Sequence, residues 1–376
     1  MSADAANLLK RRQSTFHPRP QTLALPLRIS QRSFVVRGTG GMAMRVGIAG
    51  IIGAVVLASG AMGAGADWRW PRFPAGVSAP ALPAENSMSA AKVALGRRLF
   101  YDRALSHDGS MACADCHQQA RGFTDGQPTH VGVTGDMGVR NVPGLANVAW
   151  RSGLTWTDAG IATLEAQAMV PMTGTKPVEM GMAGRDSDLA ARLDADPCYR
   201  RMFAQAFPGT KGGADFSRVT AALGAFQRTM ISFGSAYDRG TLTPLAAKGA
   251  AQFKASGCAS CHSGPDLTDG KVHYVGTAAP RESEDPAYGG KPPPPGFEPP
   301  PEQFRTPSLR NVAVTGPWLH DGKADSIDGA IRRHAAAHLT GIDMPALLAF
   351  LDSLTDWGFL RNPALGPPPA GCPVPV

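Results

Sequence analysis

The pattern Cys-x-x-Cys-His occurs twice in this sequence. Its two copies comprise Cys113, Cys116 and His117, and then Cys258, Cys261 and His262. With six cysteines and nine histidines among 376 residues, about 0.002 copies are expected by chance. The pattern is the attachment signature of c-type haem, in which two thioethers hold the porphyrin and the histidine is an axial ligand. We therefore predict that the chain folds around two covalently attached haem c groups.

Two other uses of paired cysteines fit these motifs less well. A structural zinc site needs four ligands that close a tetrahedron, whereas each copy offers three neighbouring side chains. A thioredoxin-like redox pair needs a strand-to-helix context and has no requirement for a following histidine. Haem attachment is therefore the favoured interpretation of both copies.

The positive charge of the chain is concentrated in its first 66 residues. Eight of the 37 Lys and Arg residues but only one of the 30 Asp and Glu residues lie there, which accounts for the whole net charge of +7. The remaining residues, 67–376, are neutral overall, so the charge is no evidence for a nucleic-acid partner and we expect none.

Residues 42–66 of this leader have a basic start, an apolar run and a small-residue A-x-A end. This order predicts a Sec signal peptide, with Met42 or Met44 as the true start of the protein. The apolar run over 46–58 is short for a membrane span, although an uncleaved anchor remains an alternative. We expect a periplasmic protein without stable membrane insertion, which agrees with haem c attachment outside the bacterial cytoplasm.

The chain also matches itself. "CADCHQQARGFTDG" resembles "CASCHSGPDLTDG", and the later "RNVPGLANVAW" resembles "RTPSLRNVAV". Such self-similarity indicates a duplication. We predict two domains, an N-terminal one over 67–238 and a C-terminal one over 239–376.

Helical periodicity dominates both halves. Apolar residues recur at helical spacing in "AAKVALGRRLFYD", "FSRVTAALGAFQRTMISF", "LAAKGAAQFKAS" and "MPALLAFLDSLT", and no run alternates as a strand would. The proline-rich stretch 279–301 predicts an extended surface loop. The expected fold class is all-α, with two cytochrome c-type domains related by duplication.

A corresponding helix in each half differs at one important position. Thr163 and Ser326 are predicted N-caps, because an acidic residue follows each in the first turn. Helical spacing after Ser326 places His334 on the apolar face, and the equivalent position in the first half is Pro171. Histidine can ligate the second haem iron, whereas proline has no lone pair to offer and leaves the first iron open.

Two matters stay undecided at this stage. His338 and Met344 are rivals to His334 as the sixth ligand of the second iron. Cys198 and Cys372 could pair in an oxidising compartment, but the sequence does not show that their Cα atoms approach. We expect these two cysteines to be unpaired.

Several segments together resemble the bacterial di-haem cytochrome c peroxidase superfamily, especially its branch of MauG and MbnH-type enzymes. They are "NSMSAAKVALGRRLFYDRALS", "LTWTDAGIATLEAQAMVPM", "KPVEMGMAGR" and "FRTPSLRNVAVTGPWLHDG", together with the haem motif of the first half. The resemblance covers about residues 86–355. It implies two all-α cytochrome c domains, with a calcium ion and a tryptophan between the haems.

The resemblance also assigns roles to individual residues. It implies a five-coordinate peroxidatic haem on His117, with Gln167, Pro171 and Glu179 in its distal pocket. Trp156 matches the tryptophan between the haems. The calcium ligands would be the side-chain oxygen of Asn141 and the backbone carbonyls of Arg305 and Pro307.

These observations predict a di-haem oxidoreductase that uses hydrogen peroxide. Cleavage of the peroxide O–O bond needs a base to move a proton, which the carboxylate of Glu179 can do. By resemblance, the electron donor is a redox partner protein, with an aromatic residue, a tryptophan, as the group oxidised. The alternatives are a peroxidase fed by a small cytochrome or cupredoxin, and a passive carrier with two six-coordinate irons.

Overall fold

The computed structural model describes residues 68–157, 160–210, 213–274, 303–334 and 340–372. The predicted leader, the proline-rich stretch 279–301 and His338 lie outside these ranges. No helix within them is both long enough and apolar enough to cross a bilayer.

Helices make up most of the regular structure in the described ranges, in agreement with the expected helical class. Thr163 and Ser326 cap their helices as predicted, each accepting a hydrogen bond from a backbone N–H three residues later. The helices are α1 (Ala90–Phe100), α2 (Cys113–Cys116), α3 (Leu164–Thr173), α4 (Asp186–Ala195), α5 (Pro197–Ala206), α6 (Phe216–Gln227), α7 (Pro244–Ala255), α8 (Ile327–Arg332), α9 (Met344–Asp352) and α10 (Trp357–Leu360).

Two helix crossings of the same kind organise the two halves. In the first half α1 packs on α6, where a Cβ at Gly96 would collide with the carbonyl of Ala222. In the second half α7 packs on α9, where a Cβ at Gly249 would collide with the carbonyl of Ala346. Glycine is therefore required at both crossings, because only a bare Cα permits so close an approach.

Each crossing belongs to its own hydrophobic cluster. The larger cluster contains Leu95 and Phe226 at the first crossing, and the smaller contains Phe253 and Phe350 at the second. The end of the chain joins the larger cluster, because Phe359, Leu360 and Leu365 are buried there. The C-terminal residues thus complete the core of the first half.

The described residues contain one short ribbon of two strands, which no alternation in the sequence indicates. Strands β1 (Val272–Tyr274) and β2 (Gln303–Arg305) pair antiparallel, with His273 opposite Phe304. Each strand has three residues, which is too short for alternation to register in a sequence. This ribbon places His273 and Arg305 beside the second haem motif.

Two predicted helices also end early. The periodic stretch that begins at Phe216 is helical only to Gln227. The helix after Ser326 ends at Arg332, so the prediction that His334 lies on it is wrong. His334 nevertheless stays close to the helix end, since its Nδ1 lies 2.8 Å from the carbonyl of Ala330.

The expectation that Cys198 and Cys372 are unpaired is also wrong. They form a disulfide with Cα atoms 5.5 Å apart, across a sequence separation of 174 residues. Cys198 lies in α5, and the return of the chain end to the first half brings Cys372 against it. Sequence spacing carries no signal for a contact this distant along the chain.

We expect replacement of both cysteines by serine to lower the free energy of unfolding by about 2–4 kcal/mol, because the bridge restricts a long loop in the unfolded chain. Denaturant unfolding of the holoprotein measures this. Reduction of the wild-type protein by a dithiol is the control, since it opens this bridge but leaves haem thioethers intact. Identical unfolding curves for wild type and variant would contradict the prediction.

Two candidate haem sites

The first motif lies at a sharp turn beside the larger cluster. Cys113 and Cys116 begin and end α2, and His117 follows directly. The Nδ1 atom of His117 lies 2.8 Å from the carbonyl oxygen of Phe123, a residue with φ of 66°. This bond fixes the ring so that Nε2 is the nitrogen available to a metal ion.

The second motif repeats this arrangement. Nδ1 of His262 lies 3.3 Å from the carbonyl oxygen of Leu267, whose φ is 53°. Burial, followed by the nearby charge of His334, lowers the pKa of His262 to about 4. His262 is therefore neutral near pH 7 and has a free lone pair for a metal.

His334 faces His262 across the second site. Their ring centroids are 6.5 Å apart. A metal–nitrogen bond is about 2 Å long, so two nitrogens on opposite sides of one ion lie about 4 Å apart. The distance from each nitrogen to the centre of its own ring accounts for the remainder of the 6.5 Å between the centroids. The two imidazoles therefore fit a single iron between them. Met344, a rival ligand, begins α9 and packs beside the smaller cluster.

A cavity of about 590 Å³ surrounds this pair of histidines. Phe253, Val312, Leu347 and Leu351 supply apolar walls, and both cysteines of the motif open into it. A large cavity with apolar walls and a few convergent polar groups suits a flat, mostly apolar cofactor. The residues present thus fit a covalently attached haem.

The predicted distal residues of the first site come from α3 and the loop after it. Gln167 and Pro171 are four residues apart on α3 and therefore share a face. Glu179 lies in the following loop, which folds back so that the amide of Met180 donates to the carbonyl of Pro171 at 2.9 Å. The amide of Val133 donates to the carbonyl of Glu179 at 2.8 Å, which fixes the other side of the loop.

Glu179 is half-buried and lies near Cys116 of the first motif. Burial raises its pKa, and the opposing charge of His130 partly offsets this effect. Burial is the main cause of the raised pKa of the Cys116 thiol, and the negative charge of nearby Glu179 raises this pKa further. The structure therefore brings Glu179 near Cys116, and a carboxyl of raised pKa suits a group that takes and returns a proton.

Trp156 lies among the residues predicted to bind calcium. Its indole Nε1 donates to the carbonyl of Asn141 at 2.8 Å, and its own carbonyl accepts from the amide of Arg305 at 2.9 Å. Pro307 lines the same cavity, with its carbonyl turned toward the ring of His262. The side-chain amide of Asn141 donates to the carbonyls of Gln127 and Pro128.

Oxygen donors such as these match the chemistry of calcium, which prefers six to eight oxygen ligands. The Asn141 side chain and two carbonyls supply fewer than six, so a calcium ion here would need water as well. Its presence stays a prediction.

Sequence reasoning missed an acid–histidine pair beside each haem motif. A carboxylate oxygen of Asp125 lies 3.1 Å from Nδ1 of His130, and a carboxylate oxygen of Asp269 lies 2.7 Å from Nε2 of His273. Both aspartates belong to the repeated "TDG" that ends each quoted motif. The repetition of this aspartate, followed within five residues by a histidine, was a signal that could have identified both pairs.

Comparison with known proteins decides the family. The chain is 37% identical over 257 residues to the methylamine utilization protein MauG of Methylorubrum extorquens, covering 66% of this chain and 70% of that protein. A family model described as di-haem cytochrome c peroxidase matches residues 90–243. The chain belongs to the di-haem cytochrome c peroxidase family.

Two further proteins are similar to this chain. Cytochrome c peroxidase Ccp of Escherichia coli K12 is 31% identical over 290 residues, which cover 73% of this chain and 60% of that protein. A crystal structure of a MauG-like protein associated with microbial copper homeostasis has 32% identity and a TM-score of 0.72, covering 80% of this chain and 99% of that one.

Membership makes the protein a peroxidase-type oxidoreductase that transfers electrons and carries two haem c groups. The resemblance found in the sequence and the enzyme class predicted from it are confirmed.

Proposed function

We propose that this protein uses hydrogen peroxide at the first haem site to oxidise a protein partner, and that the group oxidised is an aromatic side chain, a tryptophan. The observation that carries the proposal is the asymmetry of the two sites. His334 faces His262 across the second site, while the equivalent residue in the first half is Pro171 in α3, which cannot ligate a metal.

When bound at His117, the haem of the first site would supply an iron that gives two electrons to peroxide. The chain supplies proton handling. Glu179 in its carboxylate form would accept a proton from one peroxide oxygen and deliver it to the other, as a single general acid–base group can. Its half-buried position and the neighbouring His130 support this role.

Trp156 is proposed as the link between the two sites. Its indole is held by Asn141 and its backbone by Arg305, and its ring lines the cavity that also holds His262. The two domains proposed from the sequence, 67–238 and 239–376, would each hold one haem. The repeated glycine crossings and the repeated histidine–carbonyl bonds support their origin by duplication.

The likeness to MauG and to cytochrome c peroxidases supports a redox partner as the electron source. The basic leader, with its apolar run and A-x-A end, supports export to the periplasm. The named cytochrome c peroxidase relative supports the second candidate, reduction of peroxide with electrons from a small cytochrome or cupredoxin.

Stoichiometric peroxide added to the purified ferric holoprotein tests the proposal. We expect a change in the haem absorption spectrum without any prior reduction, because Pro171 in α3 would offer the first iron no ligand. Peroxide turnover with a small carrier and no covalent change in any protein partner would favour the second candidate. No spectral change, together with two six-coordinate haems, would leave only a passive carrier.

A further inference from the structure

Five aromatic rings form a chain of contacts that begins just after the predicted leader. Trp68 contacts Trp70 with ring centroids 5.6 Å apart, and Trp70 contacts Phe73 at 6.0 Å. Phe73 contacts Trp150 at 5.3 Å, and Trp150 contacts Phe233 at 5.6 Å. All four separations fall in the range of direct ring contact. The first two rings are only partly buried.

Arg310 extends this chain of contacts inward. Its guanidinium carbon lies 5.1 Å from the centroid of Phe233 and 5.9 Å from the centroid of Tyr237, within cation–π range of both rings. The side chain is 2% exposed and is held by both carboxylate oxygens of Asp238 at 2.6 Å. Arg310 is therefore held in one position between the rings of Phe233 and Tyr237.

Beyond Arg310 the contacts reach the second haem site. Tyr237 contacts Phe350 at 5.8 Å, Phe350 contacts Phe253 at 5.1 Å, and Phe253 contacts His262 at 6.5 Å. His262 is the predicted axial ligand of the second haem. One series of contacts therefore joins this ligand to two tryptophans at the protein surface.

We call this set of residues the aromatic series. Its members are Trp68, Trp70, Phe73, Trp150, Phe233, Arg310, Tyr237, Phe350, Phe253 and His262.

The composition of the aromatic series suits the transfer of oxidising equivalents. Tryptophan and tyrosine can each lose an electron to a strong oxidant, and the phenylalanine rings shorten the gaps between them. The ring of Trp150 is held in place, since its Nε1 donates to the carbonyl of Ser78 at 2.9 Å. The packing of this series is not needed by the peroxide site itself.

We propose that the aromatic series carries oxidising equivalents from the second haem site to Trp68 and Trp70, which form the point where they leave the protein. This inference rests on the proposed function, because peroxide supplies the oxidising power. Without a partner, an indole at this point loses two electrons and two protons and takes an oxygen atom from water. Peroxide accepts those electrons and protons to form two waters, so the sum is one hydroxylated tryptophan and one water per peroxide.

Peptide mapping by mass spectrometry tests the inference. The holoprotein is treated with a small excess of hydrogen peroxide in the absence of any electron donor, digested, and searched for added oxygen. Trp357 is the internal control, because it is 54% exposed and its ring contacts Arg361 outside the aromatic series. We expect severalfold more oxygen on Trp68 and Trp70 than on Trp357. Preferential oxidation of Trp357 would overturn the inference, since exposure alone would then explain the pattern.

Two variants break the aromatic series. Trp150→Phe keeps a ring but removes the oxidisable indole, and Phe233→Leu opens a gap beside Arg310. Each should lower oxygen incorporation at Trp68 and Trp70 severalfold, whereas Trp357→Phe should not. Unchanged incorporation in both variants would overturn the inference.

The reaction of the ferric haem with peroxide, followed by its absorption, separates the two claims. A normal spectral change with oxygen placed elsewhere would defeat the aromatic series alone. A protein that shows no spectral change at all would defeat the proposed function and this inference with it.

Discussion

Glu179→Gln should slow the reaction of the ferric protein with hydrogen peroxide by about 10²–10⁴-fold, the usual contribution of a positioned general base. The amide side chain matches the carboxylate in shape but cannot accept the proton. The backbone contacts of this loop, from Val133 to the Glu179 carbonyl and from Met180 to Pro171, are unaffected by the change. Stopped-flow absorption of the haem measures the rate constant.

The pH dependence of this rate constant gives a second readout of the same residue. Burial raises the pKa of Glu179, so the reactive carboxylate is lost at a higher pH than for an ordinary glutamate. The rate constant should therefore fall as the pH is lowered through that raised pKa, and this fall should be absent in Glu179→Gln.

Asp188→Asn is the control for Glu179. It removes a carboxylate of the same half that is 48% exposed and paired with Arg185, and we expect the wild-type rate constant and pH profile. If Glu179→Gln reacted with peroxide as fast as this control, Glu179 would have no part in proton transfer.

His334→Ala should convert the second haem from low-spin to high-spin in the ferric protein. The reason is geometric, because the ring of His334 faces that of His262 at 6.5 Å and removal of one imidazole leaves an axial position open. Electron paramagnetic resonance reports each spin state separately. The low-spin signal should disappear in the variant and return when free imidazole is added.

His273→Ala is the matched control for His334. His273 lines the same cavity, but its Nε2 lies 2.7 Å from a carboxylate oxygen of Asp269. We expect the low-spin signal to survive this change. A low-spin signal that persists in His334→Ala would show that another residue, such as His338 or Met344, holds the sixth position.

Local features of the fold were predictable from the sequence, and long-range ones were not. The caps at Thr163 and Ser326 were found because an N-cap is decided within one helical turn. The three-residue strands were missed because pairing across a 28-residue stretch leaves no local pattern. The Cys198–Cys372 bridge was missed for the same reason, since it depends on where the chain end returns.

In the candidate site, too, the features encoded by neighbouring residues were predictable, and those that depend on long-range contacts were not. The haem-attachment residues follow from adjacent positions in the sequence. The helical spacing that singled out His334 does not hold in the structure, because α8 ends at Arg332. His130 and its carboxylate partner Asp125 were overlooked because the repeated "TDG" was used only to align the halves. The aromatic series joins residues from seven separate segments, so only the three-dimensional arrangement shows it.

The burial of Phe359, Leu360 and Leu365 in the core of the first half has a consequence for biogenesis. The first half cannot close its interior until the segment that carries Phe359, Leu360 and Leu365 has been made and has returned to it. Until then, the first Cys-x-x-Cys-His motif belongs to an incompletely packed polypeptide that haem-attachment enzymes can reach. The disulfide between Cys198 and Cys372 likewise cannot form until the segment that carries Cys372 has returned to α5.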